Sequence, residues 1–447
     1  MIEKILVANR GEIAVRIIRA AQELGIKAIA VFSEADRDAL FVKYADQAIC
    51  IGPAPAKESY LFYQNILAAT LSAKADALHP GYGFLAENPL FAEACRALNI
   101  NFIGPHPLAI RKMGDKATAK KMMRQAGVPV VPGSPGIIHT AGEALTFAGQ
   151  IGYPVVLKAT AGGGGKGMRI VNEESEIENA FAAAANEAQQ AFADSGLYIE
   201  KFIPNPKHIE IQLLGDKHGH LVHLFERDCS LQRRYQKLLE EAPCPILSDD
   251  LRLRMGEAAV QAAQAVKYDS VGTVEFIFDQ ESQQFYFIEM NTRIQVEHPV
   301  TEQITGIDLI KNQIQVADGK KLDFAQKDIQ KTGHAIECRI NAEDYQNNFL
   351  PDTGTISQYI VPGGPGVRVD SGVFPGYAIP PYYDSMLAKL IVWGNDRRQA
   401  IATMKRALRE FIISGVKTTI PFHQQVLGSE AFLRGSYTTN YIQDFFL

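Results

Sequence analysis

The chain opens on a short apolar run at residues 4–8, and from Gly11 the apolar positions change rhythm. Ile13, Ala14, Ile17, Ile18, Ala21 and Leu24 recur at helical spacing until Gly25, and a continuous apolar run follows at 26–32. A strand, an amphipathic helix and a second strand at this spacing predict a βαβ unit. Residues 76–79 and 101–104 read as further strand ends, each followed by a Gly/Pro loop. The N-terminal region is therefore expected to be a parallel α/β domain.

Farther along, the period drops to two. Residues 207–214 alternate polar with apolar, and the β-prone stretches 272–278 and 285–289 are joined by a polar segment, which predicts a hairpin. From Glu289 on, every second residue can bond or ionise (Glu289, Asn291, Arg293, Gln295, Glu297), while Met290, Ile294 and Val296 take alternate places. In an extended segment those five groups share one face. A region from residue 333, with Gly/Pro turns at 362–366, is expected to be β-rich and closed by a helix near 398–411.

Length and composition narrow the class. At 447 residues, two to four domains are expected. The 45 basic and 50 acidic residues are interspersed and leave a net charge of −5, which offers no field for a polyanion, so nucleic acid is not an expected partner. Five scattered cysteines without a Cys-x-x-Cys spacing fit a reduced, cytoplasmic protein. No signal segment and no apolar run long enough for a bilayer are evident, so no membrane partner is expected.

The chemistry concentrates on the acidic stretch. With a turn near Ser282, Glu275 lies opposite Glu289, and like charges opposed on a sheet want a cation between them. Two carboxylates and the Asn291 amide oxygen are hard ligands of the kind Mg²⁺ accepts. A second candidate is the run of four glycines at 162–165, which follows a strand ending in Lys158 and precedes Lys166. Backbone N–H groups there can approach phosphate oxygens with no Cβ in the way, although no Walker Gly-Lys-Ser/Thr is present. The loop 79–87 holds two glycines, Tyr82 and Glu87 at a strand end, where α/β ligands bind. A Rossmann dehydrogenase is set aside because only Gly11 stands after the first strand.

Taken together, the glycine tract, the strand ending Glu200-Lys201, the set Glu275, Glu289 and Asn291, and the tail 293–297 resemble the ATP-grasp ligases, and among them the biotin carboxylases. The resemblance runs from residues 8–14 through 79–85 to 381–385. It implies an N-terminal Rossmann-like domain at 1–114, an ATP-grasp domain at 115–332 with a mobile lid at 130–203, and a β-rich C-terminal domain at 333–447. The implied activity is carboxylation of biotin by ATP and bicarbonate through carboxyphosphate. Its cofactors are ATP and Mg²⁺ or Mn²⁺, with biotin borne by a separate carrier protein, since no biotinyl Ala-Met-Lys-Met segment occurs in the chain.

By the same resemblance, Lys116, Lys158 and His208 bind ATP phosphates, and Gly163, Gly164 and Gly165 close over them. Glu200 and Lys201 read the adenine, with Gln232 near the ribose. Lys237, Arg293, Gln295 and the Val296 N–H hold bicarbonate or carboxyphosphate, Glu297 is the base, Arg339 faces the biotin enolate, and Tyr82 and Gly83 flank the biotin ring. Tyr235 departs from the family pattern, in which His or Asn is expected. Arg19 and Glu23 match the contact region of a homodimer. The expected setting is the first half-reaction of acetyl-CoA carboxylase, with carboxyltransferase subunits as further partners and a pyruvate or other acyl-CoA carboxylase as the alternative. The rivals are another ATP-grasp ligase of the carbamoyl-phosphate or purine type and a non-catalytic ATP-binding regulatory module.

Overall fold

The computed structural model describes residues 1–159, 168–192 and 195–446. The chain forms two compact units: Met1–Val128, Lys207–Phe276 and Glu289–Leu447 make one, and Pro129–Pro206 with Ile277–Ile288 make the other.

In the first unit, strands Lys4–Val7, Lys27–Ser33, Gln47–Gly52, Ala77–His79 and Asn101–Phe102 form a five-stranded parallel sheet. Its helix Gly11–Glu23 buries Ile13, Ala14, Ile17, Ile18 and Ala21, the residues at helical spacing, and Gly25 leaves it at φ 74°. The chain builds outward from Lys4–Val7 on one side and then returns to its other side with Ala77–His79. That reversal opens a crevice at the carboxyl ends of these two neighbouring strands. Asn9 closes its floor by donating through Nδ2 to the carbonyls of Pro80 and Tyr82, both at 2.7 Å. A Cβ at Gly81 would come within 2.8 Å of the Asn9 amide, and Gly81 sits at φ +63°, so both the space and the backbone ask for glycine.

Most of an eight-stranded sheet lies in the same unit, ordered Gln284–Asn291, Val271–Asp279, Lys207–Gly215, Leu221–Arg233, Gln236–Ala242, His334–Asn341, Met386–Gly394 and Val367–Ser371, with residues 277–279 and 284–288 of its first two strands counted in the second unit. It runs without a break past residue 333, because Gln236–Ala242 pairs antiparallel with His334–Asn341. Alternation gives its C-terminal strands two unlike faces. Ile336, Cys338, Ile340, Leu390 and Val392 pack with Ala400, Met404, Ala407 and Leu408 of helix Arg397–Glu410. Arg339 and Lys389, out of phase with those apolar residues, are in register on neighbouring strands.

The second unit has a three-stranded antiparallel sheet with Val155–Ala159 between Met168–Val171 and Leu197–Lys201. Helix Ala141–Ile151 starts on a capping box between Thr140 and Glu143. Gly163, Gly164 and Gly165 lie outside the described residues. Among the described residues, no helix is long and apolar enough to cross a membrane.

Candidate active site

The centre of the site is one ammonium group. Lys237 Nζ donates to Glu210 Oε2 at 2.6 Å, Glu297 Oε1 at 2.7 Å and Glu275 Oε1 at 2.9 Å. An ammonium has three protons, and here three carboxylates use them. Burial opposes the charge on Lys237, but Glu210, Glu275 and Glu297 outweigh it and hold the amine well above its usual range. Burial likewise opposes ionisation of Glu297, yet Lys237, Arg339 and Arg227 keep its carboxyl well below the usual range. Glu275 behaves alike under Lys237 and His208, whose Nε2 lies 2.9 Å from Glu275 Oε2 without hydrogen-bond alignment.

Arg339 meets this cluster from the neighbouring strand. Its Nε donates to Glu240 Oε1 at 2.7 Å and its Nη2 to Glu297 Oε2 at 3.0 Å. Glu240 is buried, and burial pushes its carboxyl up to about 7 against the pull of Arg339. From below, the fully buried Arg227 donates to Glu210 through Nε, to Gln212 at 2.6 Å and Thr301 at 3.0 Å through Nη1, and to Gln295 at 2.7 Å and Thr273 at 3.1 Å through Nη2. Every donor of that guanidinium has a partner, which removes the main penalty for burying it. Gln295 is thereby fixed, and its Nε2 reaches Glu275 at 2.8 Å.

The loop after Ala77–His79 supplies the other wall. Glu87 accepts from Arg293 Nε at 2.8 Å and from the Thr292 N–H at 2.9 Å, and Arg293 Nη2 donates to Asn291 Oδ1 at 3.0 Å. Tyr82 donates its hydroxyl to Glu12, and Gly83 follows with φ +67°.

The acids expected to share a cation have unlike surroundings. Glu275 is enclosed by Lys237, Gln295 and Asn291, whose Nδ2 donates to it at 2.8 Å, whereas Glu289 is 37% exposed and faces Lys116 at 3.6 Å. A side-chain cation, Lys237, thus already attends Glu275 together with Glu297 and Glu210. For a divalent metal the all-oxygen chemistry fits, and the exposed Glu289 carboxylate has lone pairs to give. The amide oxygen of Asn291 already accepts from Arg293, so the two carboxylates are the better part of that set. His208, Glu210 and Glu275 also bring ligand atoms within 4.8 Å of one another.

In the second unit, Lys158 Nζ is 2.7 Å from Glu200 Oε2, while Lys201 Nζ donates to the carbonyls of Tyr153 at 2.8 Å and Gly152 at 3.1 Å. In the first, Gln232 pairs across the hairpin with Lys237, and Tyr235 stands at its tip, 73% exposed with φ 66°. That left-handed backbone suits Asn or His better than Tyr, which gives the departure at 235 a conformational side. Three charged residues in the site were not among the sequence candidates: Glu210, Arg227 and Glu240. Glu210 had a signal, since it shares a period-two face with His208 and Gln212. Arg227 and Glu240 left no pattern of their own.

A crevice at the sheet reversal and a cluster of carboxylates gripped by Lys and Arg form a site suited to handling anions. Three family models match the chain: "Biotin carboxylase, N-terminal domain" at 1–110, "Carbamoyl-phosphate synthase L chain, ATP binding domain" at 115–325 and "Biotin carboxylase C-terminal domain" at 337–444. The chain is 57% identical to biotin carboxylase 1 of Bacillus subtilis, over 100% of this chain and 99% of that one. It is 58% identical to a biotin carboxylase of Nostoc sp., over 99% of each chain. A solved dimer of the biotin carboxylase domain of Hydrogenobacter thermophilus 2-oxoglutarate carboxylase, in complex with ADP, its magnesium salt and bicarbonate, is 52% identical with a TM-score of 0.90, covering 99% and 98%. The chain belongs to the biotin carboxylase family.

Proposed function

We propose that the chain carboxylates the ureido nitrogen of biotin on a separate carrier protein, using ATP and bicarbonate, as the first half-reaction of an acyl-CoA carboxylase. The observation that carries this is the Lys237, Glu297, Arg339 arrangement, in which one buried carboxylate is held by two cations. Planar anions are the natural ligands of such a pair. A carboxylate this acidic is a weak base on its own. When Lys237 turns part of its charge to a bound bicarbonate, it withdraws it from Glu297, whose basicity rises as the substrate's proton comes within reach.

Magnesium, when bound with ATP, supplies charge neutralisation at the phosphates, and Glu275 and Glu289 are the residues that would hold it. Lys116 and His208 are assigned to phosphate, Gln232 to ribose and Asn291 to the metal's surroundings. On the second unit, Lys158, Glu200 and Lys201 keep nucleotide roles, and residues 130–203 act as the lid. Arg293, Gln295 and the Val296 N–H orient the anion, and Arg339 stabilises charge developing on the biotin oxygen beside Tyr82 and Gly83. A cytoplasmic homodimer working with a carboxyltransferase completes the proposal.

The test is phosphate release from ATP with and without bicarbonate and free biotin. Release that requires bicarbonate and yields carboxybiotin supports the reading. Release indifferent to bicarbonate overturns it.

A further inference from the structure

Lys389 is fully buried on strand Met386–Gly394, where it is in register with Arg339 on one side and Asp370 on the other. Its Nζ donates to the Val296 carbonyl at 2.8 Å and lies 3.1 Å from Glu12 Oε1, while Asp370 Oδ2 is 4.0 Å away. Glu12, in the first turn of helix Gly11–Glu23, accepts the hydroxyl proton of Tyr82. A continuous chain of contacts, buried at Glu12 and Lys389, thus runs from the Tyr82 loop to the peptide joining Val296 to Glu297.

We propose that Lys389, with Glu12, is a positioning residue that locks the Glu297 backbone and makes its setting depend on the Tyr82 loop. The inference rests on the function proposed above. Two neighbouring cations then grip Glu297 at both ends: Arg339 takes its carboxylate at 3.0 Å, and Lys389 takes the carbonyl that precedes it. Fixing that carbonyl fixes the peptide plane from which Glu297 departs and the residue whose N–H is assigned to the anion. A buried ammonium is costly to hold without partners. Lys389 has Glu12, Glu337 and Asp370 in its field, with Arg368 opposing them, and burial pushes the Glu12 carboxyl up while Lys389 pulls it down. The second Glu12 oxygen and both oxygens of the buried Glu337 have no hydrogen-bond partner, while Arg368 donates twice to Asp370, so Lys389 is the cation that faces Glu12.

Coupling of this kind is reciprocal between the two ends. The experiment compares Tyr82→Phe, Glu12→Ala, Lys389→Met and the double variant Tyr82→Phe/Lys389→Met, reading kcat and the KM values for bicarbonate and ATP in bicarbonate-dependent ATP cleavage, with melting temperature alongside. Lys389→Met is expected to raise the bicarbonate KM about tenfold and leave the ATP KM within about twofold. Tyr82→Phe, which removes one hydroxyl remote from Glu297, is expected to raise the same KM about threefold, and the double variant to match Lys389→Met alone, because the chain is already cut. Independent, multiplicative effects, or a bicarbonate KM unmoved in both Tyr82→Phe and Glu12→Ala, would overturn the relay, and those two variants decide it even if Lys389→Met fails to fold. A wild-type enzyme lacking bicarbonate-dependent cleavage would instead overturn the function itself.

Discussion

Lys237 and Glu297 meet at 2.7 Å inside a cluster where the same ammonium also serves Glu210 and Glu275. Glu210 and Glu275 come from two strands and Glu297 from the start of helix His298–Thr305, so the lysine is their common counterion. Removing one partner of a buried charge network costs more than the network contributes, because the remaining charges stay buried. Lys237→Met should therefore lower the melting temperature by several degrees and cut bicarbonate-dependent ATP cleavage by roughly 10²-fold or more. Scanning calorimetry with a phosphate-release assay checks both, and a variant with wild-type stability would contradict the shared-counterion role.

Glu289 and Glu275 should part company on mutation. Glu289 is 37% exposed beside an exposed Lys116, so Glu289→Gln is expected to leave stability unchanged while raising the Mg²⁺ concentration needed for half-maximal activity about tenfold. Glu275→Gln, set among Lys237, Gln295 and Asn291, should lose stability as well as turnover. Metal titrations on the two variants separate these outcomes, and normal activity of Glu289→Gln at limiting Mg²⁺ would remove Glu289 from the metal site.

Much of the architecture was legible because it is local. The helical spacing of Ile13, Ala14, Ile17 and Ile18, stopped by Gly25, becomes the first helix, and the period-two face of 207–214 becomes the strand Lys207–Gly215. What was not legible depends on pairing between distant strands. Glu240 reaches Arg339 only because Gln236–Ala242 lies beside His334–Asn341, ninety-nine positions apart for the two residues, and no local rhythm encodes that neighbour. The same holds for Arg227, which sits in a strand whose pattern says burial, while its partners Gln295 and Thr301 come from beyond the hairpin. Acids expected to oppose each other on the hairpin ask for a cation, but the hairpin alone does not reveal that Lys237 reaches Glu275 from another strand.

Acid should unfold this protein partly through Glu241. Burial works against its charge, but His334 and Arg397, at 2.6 and 2.7 Å, bring its carboxyl down to about 2 from an ordinary 4.5. A carboxyl depressed on folding stabilises fully above its unfolded value, and that contribution is lost as pH falls through the folded one. Glu241→Gln should therefore be less stable than wild type at pH 7, with the gap narrowing as pH falls below 4.5 toward 2. Melting temperatures across that range test it, and a gap independent of pH would show that Glu241 contributes through packing alone.

Arg339 is fastened at its back by Glu240 and at its front by Glu297, and this double attachment sets what its loss should do. Deprotonating a ureido nitrogen places charge on the ureido oxygen, and a preorganised guanidinium aimed there stabilises it. Arg339→Ala should cut carboxybiotin formation by roughly 10²-fold, as one lost oxyanion donor does. Phosphorylation of bicarbonate does not need that donor, but it does need Glu297, which in the variant keeps Lys237 and loses one of its cations. Bicarbonate-dependent ATP cleavage should accordingly fall by less than about tenfold, with its acidic pH limb moved upward because Glu297 is less strongly held. Glu240→Gln is the companion: it keeps the side-chain shape and an acceptor oxygen but removes the charge, and should lower carboxylation more than ATP cleavage in the same sense. Glu297→Gln should suppress both products. The measurement is phosphate release and carboxybiotin formed on one enzyme sample for all three variants, and an equal loss of both in Arg339→Ala would assign Arg339 to bicarbonate binding.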